Sequence, residues 1–221
     1  MRGLCWVPLL FCACRALAQD DDFARCTTLS FAPLDETVPA CNAMIDDPAG
    51  LDPAALASIH AARAEALEFA LVYHGENEVD PDALLAAALA DLEQAVSIDP
   101  RHHAQRASIL FRLGRFPEAA DGFTAAIAAS PADAAGLLES RSVALAAAGD
   151  MVGAIDDMTA AVRLSTAAPD LAHLLGRRAE LKEQTGDVAG AIADHTAILR
   201  ILPDRAVSQE ALVRLGGGPP G

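Results

Sequence analysis

The sequence predicts an all-α fold of antiparallel helical hairpins, and three observations carry that expectation. Gly114, Gly149 and Gly186 each close a similar segment, Arg106 to Gly114, Arg141 to Gly149 and Arg178 to Gly186. Each opening arginine is followed at once by a small residue (Ala107, Ser142, Ala179), and 13 residues after each arginine stands an alanine (Ala119, Ala154, Ala191). Apolar residues recur at helical spacing, as in Ile109, Leu110 and Leu113 before Gly114 and Phe116, Ala119, Ala120, Phe123, Ala126 and Ile127 after it. A helix, a glycine C-cap and a second helix returning antiparallel satisfy all three. A unit that recurs at this period cannot bury its apolar face alone, so it buries it on the next copy.

From the first residue, Met1-Arg2, the apolar run Leu4 to Cys14 and the small residues Ala16-Leu17-Ala18 predict a secretory signal peptide cut after Ala18. Two alternatives stand beside it. A membrane anchor would have to accommodate Pro8 and Arg15 in a stretch shorter than the roughly 20 apolar residues that span a bilayer. A lipid on Cys14 would follow Phe11-Cys12-Ala13, which resembles a bacterial lipobox poorly. Without 1–18, the chain keeps 203 residues with 14 basic and 31 acidic side chains. That imbalance repels nucleic acid and anionic lipid surfaces, and no later segment is apolar enough for stable membrane insertion. Of five cysteines only Cys26 and Cys41 remain, which in an oxidising compartment read as one disulfide, the alternative being two free thiols. The expected location is the periplasm.

Residues 19–50 show no clear repeat: Asp20 to Pro33 is expected to be an extended arm, and Pro39 to Asp47 a short helix containing Cys41. A solenoid then occupies 51–215. Its first hairpin opens with the pair Arg63-Ala64, but Ala88 follows Arg63 by 25 residues, twelve more than in the other units. Two long helices, about Asp52 to Tyr73 and Pro81 to Ile98, absorb the excess and project together, joined by His74 to Asp80, with Asp80-Pro81 as cap and first-turn proline of the second. Later second helices are expected to stop at Pro131, near Pro169 and at Pro203. Asp204 to Leu215 forms a polar-faced terminal helix, and 216–221 a flexible tail.

The segment Pro100 to Asp133, with Ala107, Gly114, Phe116, Ala119, Phe123, Ala126 and Pro131 in place, resembles the tetratricopeptide repeat, a helical hairpin of about 34 residues. Two further units, about Ala135 to Ala168 and Ala172 to Arg205, depart from the pattern with Met151, Met158, Val188 and His195 at aromatic places, and His103 and Leu110 replace the usual first-helix tryptophan and tyrosine. The resemblance implies a right-handed solenoid of about four hairpins plus a terminal helix. It further implies a non-catalytic scaffold whose concave face, lined by first helices, holds a protein or peptide partner. Family members that clamp chaperone carboxyl ends use lysine and asparagine on those helices, whereas this chain has Lys182 as its one lysine and no asparagine after Asn77. Self-association as a structural protein through the long first hairpin, giving a homodimer, is one alternative, and a metal-dependent or catalytic role is the other.

Catalytic constellations are not evident: there is no phosphate loop, nucleophile elbow or zinc-protease histidine pair, and no cofactor is expected. His102-His103 would point about 100° apart on a helix with no third ligand placed by sequence, so both are expected to be surface residues. His195, at an aromatic place, is expected to pack. Asp91, Asp157 and Asp194 each follow the second-helix alanine by three residues, and each shares its hairpin with Arg63, Arg141 or Arg178. That recurrence predicts an ion pair inside each hairpin; in the Pro100 unit the place is Gly122, with Asp121 beside it. With Ala107 inward, helical spacing turns Arg101, Ala104, Ser108, Phe111 and Arg112 towards the groove, and neighbouring first helices add Glu65, Glu68, Glu139, Val143, His173, Arg177 and Glu180. The expected occupant is an extended segment of acidic or apolar character near Phe111 and Arg112; the alternative for Phe111 is core between hairpins.

Overall fold

The computed structural model describes residues 21–27, 34–73 and 80–217, all helix, turn or loop, with no strand among them. The expected signal peptide, the connection 74–79 and the tail after 217 lie outside the described residues. Two compact units divide the chain, Met1–Leu113 and Gly114–Gly221.

In the first unit, residues 21–27 (α1) are helical, followed by α2 (Leu34–Asp46), α3 (Pro53–Tyr73), α4 (Pro81–Ile98), a 3-10 turn Pro100–His102 and α5 (His103–Arg112). The long hairpin is present as expected, with α3 of 21 residues and α4 of 18. Asp80 caps α4 by accepting from the backbone N–H groups of Asp82 and Ala83. Upstream, the structure corrects the expectation of an extended arm. Residues 21–27 form two helical turns, and α2 begins at Leu34, so that Pro39 lies inside it instead of opening it. Cys26 and Cys41 form a disulfide, Cα to Cα 5.0 Å, at the centre of a cluster with Ala40, Met44, Ile59 and Ala62.

The second unit holds α6 (Phe116–Ala129), a 3-10 turn Pro131–Asp133, α7 (Ala134–Ala147), α8 (Met151–Leu164), α9 (Ala168–Thr185), α10 (Val188–Ile201) and α11 (Ala206–Leu215). The turns inside its hairpins are built alike. Gly149 and Gly186 take φ of +90° and +82°, which non-glycine residues adopt at a cost. That twist lets the N–H of Asp150 reach the Leu145 carbonyl and the N–H of Asp187 reach that of Lys182, each at 2.8 Å. The same aspartates then cap the next helix, accepting at 2.9 Å from the N–H groups of Gly153 and Gly190. Pro169 does not end α8, which stops at Leu164; it stands in the first turn of α9, where a missing N–H costs nothing.

The predicted ion pairs are present in three hairpins, each as a two-pronged fork. Arg63 donates from Nε and Nη2 to Asp91 at 2.8 and 2.6 Å, Arg141 to Asp157 at 2.7 and 2.7 Å, and Arg178 to Asp194 at 2.9 and 2.6 Å. All three aspartates are buried. Each arginine also reaches back with Nη1 to the preceding helix, to Asn42 on α2, Thr124 on α6 and Thr159 on α8. Arg106 likewise meets Glu93 on α4 at 3.6 Å. The helices approach closely enough for these contacts because Ala88, Ala154 and Ala191 are fully buried at the crossing. His195 is buried, within 3.4 Å of Ser208 on α11 and Glu183 on α9, as a packing residue at an aromatic place. The terminal helix α11 buries Ser208, Ala211 and Leu212, but its outer side is less polar than expected, because Val207 and Val213 are exposed.

Two tests follow from the forks. Removing Arg141 strands a buried carboxylate, whereas Asp194 keeps Lys182 at 2.8 Å when Arg178 is removed. Arg141→Met should therefore cost about 3 kcal/mol in urea unfolding and Arg178→Met clearly less. Burial pushes the Asp91 carboxyl up, but hydrogen bonds from His60 and Arg63 outweigh it and hold the group below its ordinary value. A carboxylate depressed in the folded state stabilises above its unfolded pKa and loses that contribution as pH falls through the folded one. The urea midpoint should thus be insensitive to this group above about pH 5 and fall below about pH 4, and Asp91→Asn should flatten that acid limb.

Candidate partner-binding groove

Within the second unit, the first helices α7 and α9 both lean on α8, and a groove opens between them. Val143 and Ala146 of α7, Leu181 of α9 and Met158 of α8 floor a cavity of about 140 Å³, and Arg177, Glu180 and Gln184 of α9 rim it. Ser142 also lines it, but its hydroxyl is spent on the Ala154 carbonyl at 2.8 Å. At the rim Arg177 donates to Glu180 at 2.8 Å, and both side chains are largely exposed. One turn before Val143 and Arg177, Glu139 and His173 meet across the groove at 2.7 Å, joining α7 to α9. The floor is thus apolar and the rim carries both signs of charge, an arrangement suited to one apolar side chain with polar atoms on either side.

Of the residues expected on the concave face, Val143, Arg177 and Glu180 line this cavity, and Glu139 and His173 pair with each other one turn away. The others, Glu65, Glu68, Arg101, Ala104, Ser108, Phe111 and Arg112, lie in the first unit. Arg112 donates to Glu68 at 2.5 Å, joining α5 to α3, and Ser108 turns its hydroxyl onto the Ala104 carbonyl. Phe111 is half-buried. Arg101 stands in the 3-10 turn, where its guanidinium and backbone N–H both go to Asp99 and hold that carboxyl at about 2. Ala146, Leu181 and Gln184 escaped the sequence reading although helical spacing could have found them, each one turn beyond Val143, Arg177 or Glu180. Met158, at an aromatic place of the repeat, also lines the groove from beneath.

Elsewhere, His102 pairs with Gln105 at 2.7 Å, while burial and nearby Arg106 push His103 down. No group of three His, Cys, Asp or Glu among the described residues could hold a metal ion.

Solved structures are similar to this chain in fold along most of its length. MamA from Desulfovibrio magneticus RS-1 superposes with a TM-score of 0.65 at 15% identity, over 87% of this chain and 97% of that one. A tetratricopeptide repeat protein from Parabacteroides merdae gives 0.65 at 15% identity, over 90% and 72%. The fold is that of the tetratricopeptide-repeat proteins. PilF of Pseudomonas aeruginosa shares it, with a TM-score of 0.62 at 15% identity, over 91% of this chain and 84% of its own. No protein-family model matches the sequence, and no curated protein matches it. Identities this low speak for the course of the backbone alone.

The pairs that cross between first helices are solvent-exposed and therefore weak. Arg112→Glu and Glu139→Gln should each shift folding stability by less than about 1 kcal/mol, read from urea midpoints, so both serve as surface probes in a folded protein.

Proposed function

We propose that this protein is a non-catalytic binding scaffold of a bacterial cell envelope, working in the periplasm, which holds an extended segment of a protein partner in the groove between α7 and α9. The observation that carries the reading is the open groove itself: hairpin stacking leaves Val143, Ala146 and Leu181 partly exposed above the buried Met158 and beneath a charged rim. A repeat protein whose hairpins bury their core side to side has such a surface to offer and little else. The rim of Arg177, Glu180 and Gln184, with the Glu139–His173 pair one turn away, supplies donors and acceptors for a peptide backbone. With a formal charge of −15, the chain is unsuited to nucleic acid. No helix among the described residues is long and apolar enough to cross a membrane. A disulfide and the leader-like apolar run Leu4 to Cys14 support an exported, oxidising location. The binding residues we assign are Glu139, Val143, His173 and Arg177 in this groove, with Arg101, Ser108, Phe111 and Arg112 as a further stretch in the first unit. Self-association through α3 and α4 is the second reading, favoured by Phe69, 43% exposed on α3.

The test is a photo-crosslinker at His173, activated in intact cells, with captured chains identified by mass. Ala146→Glu fills the groove without touching the Arg–Asp forks. It should reduce capture at least tenfold while circular dichroism stays unchanged. Undiminished capture in the folded variant overturns the groove, and capture of this same chain alone favours self-association.

A further inference from the structure

Helices α1 (21–27) and α2 (Leu34–Asp46) pair as a further hairpin joined by the Cys26–Cys41 disulfide, and its register can be set by the reach-back contact of the arginines. Thr124 and Thr159, which accept Nη1 of Arg141 and Arg178, each lie five residues after the buried alanine of their helix, Ala119 and Ala154. Asn42 accepts Nη1 of Arg63 in the same way, so the alanine place of α2 is Thr37, which is 2% exposed. The rest of α2 falls into line. Cys41 takes the place of Leu92, Phe123, Met158 and His195, and Met44 that of Ala95, Ala126, Ala161 and Ile198, all of them buried. On α1 the pair Arg25-Cys26 repeats Arg63-Ala64, Arg141-Ser142 and Arg178-Ala179, with the small residue buried in every case.

One place differs. Where Asp91, Asp157 and Asp194 receive their forks, α2 has Ala40. Arg25 consequently meets no aspartate at that place; its ion pair among the described residues is with Asp22 on its own helix at 3.7 Å, and 59% of its side chain is exposed. It faces an open cleft of about 430 Å³ between α1 and α2, lined also by Asp22, Glu36, Pro39, Ala40 and Ala43. The disulfide joins the small-residue place of the first helix to the aromatic place of the second, the two positions beside the absent fork.

We infer that in this hairpin the Cys26–Cys41 disulfide replaces the arginine–aspartate fork, which makes the N-terminal cap over α3 conditional on oxidation while the other hairpins are not. The cap covers Ile59 and Ala62 of α3, so opening it uncovers the end of the first unit. The opening reaction is a two-electron reduction. A dithiol attacks one sulfur, leaves as its own cyclic disulfide, and its two protons end on Cys26 and Cys41 as thiols. Nothing comparable acts on Asp91, Asp157 or Asp194.

The experiment is amide hydrogen exchange on the full chain, oxidised against dithiothreitol-reduced, with Cys26→Ala/Cys41→Ala as a reductant-free equivalent. Closing a loop of 15 residues corresponds to roughly a hundredfold in local opening. Exchange in α2 should rise by that order in both cases, with α7 to α10 unchanged. Ala40→Asp added to the double alanine variant places a carboxylate opposite Arg25 at the register of Asp157, and it should return most of the protection. The inference is overturned if α2 stays protected without the disulfide, if protection falls equally through α7 to α10, or if Ala40→Asp restores nothing.

Discussion

A guanidinium held in a two-pronged fork by a buried carboxylate sets the geometry of three hairpins. Taking Asp91, Asp157 and Asp194 out of water is costly unless both carboxylate oxygens are satisfied, and only a planar guanidinium satisfies both at once from a neighbouring helix. The fork fixes the rotation of each first helix about its axis, because a turn of one residue would carry the arginine about 100° away. It also fixes the depth of packing, which the fully buried alanines permit. Since the same arginine bonds to the helix before it, through Asn42, Thr124 or Thr159, rotation in one hairpin is passed to its neighbour. Repetition of one local contact thus becomes a regular stack within each unit.

This use of charge governs what remains at the surface. A chain with 31 acidic and 16 basic side chains commits its arginines heavily to carboxylates of its own, among them Arg63, Arg101, Arg112, Arg141, Arg178 and Arg214. Arg214 illustrates the pattern at the far end: it forks onto Glu183, which is held below its ordinary value by that hydrogen bond first and by His195 after burial is overcome. The surface field left over is acidic.

Much of this architecture was legible because repetition amplifies weak signals. A single Arg-small pair means little, but the same pair with an alanine 13 residues on, three times over, fixes helices, turns and even the aspartate partners. The twelve-residue excess after Arg63 likewise translated directly into the lengths of α3 and α4. The pairing of α1 with α2 escaped for the converse reason. Its connection 28–33 contains no glycine, Ala40 replaces the aspartate, and Thr37 replaces the alanine, so none of the three markers was present. Only the bond from Arg63 to Asn42, a contact 21 residues apart in sequence, reveals its register. The groove was half legible: helical spacing identified which side of α7 and α9 faces outward, but not that α8 would hold them apart over Met158. Separation of helices depends on side-chain volumes at the crossing, which spacing does not encode.

Those volumes explain why a cavity exists between α7 and α9 at all. At the place where the Pro100 unit carries Phe123, the next hairpin carries Met158, and Ala146 stands on the facing wall. An aromatic ring at 158 would reach further into the space between the first helices, and a larger side chain at 146 would close it from the side. The unbranched thioether instead lies beneath the opening, fully buried, and can shift among rotamers at little cost. The departure from the aromatic pattern that makes this repeat harder to recognise in sequence is therefore also what leaves an adaptable apolar floor. Degeneracy here is confined to residues that fill space, while Arg141, Asp157 and the glycine turn, which determine position, are kept.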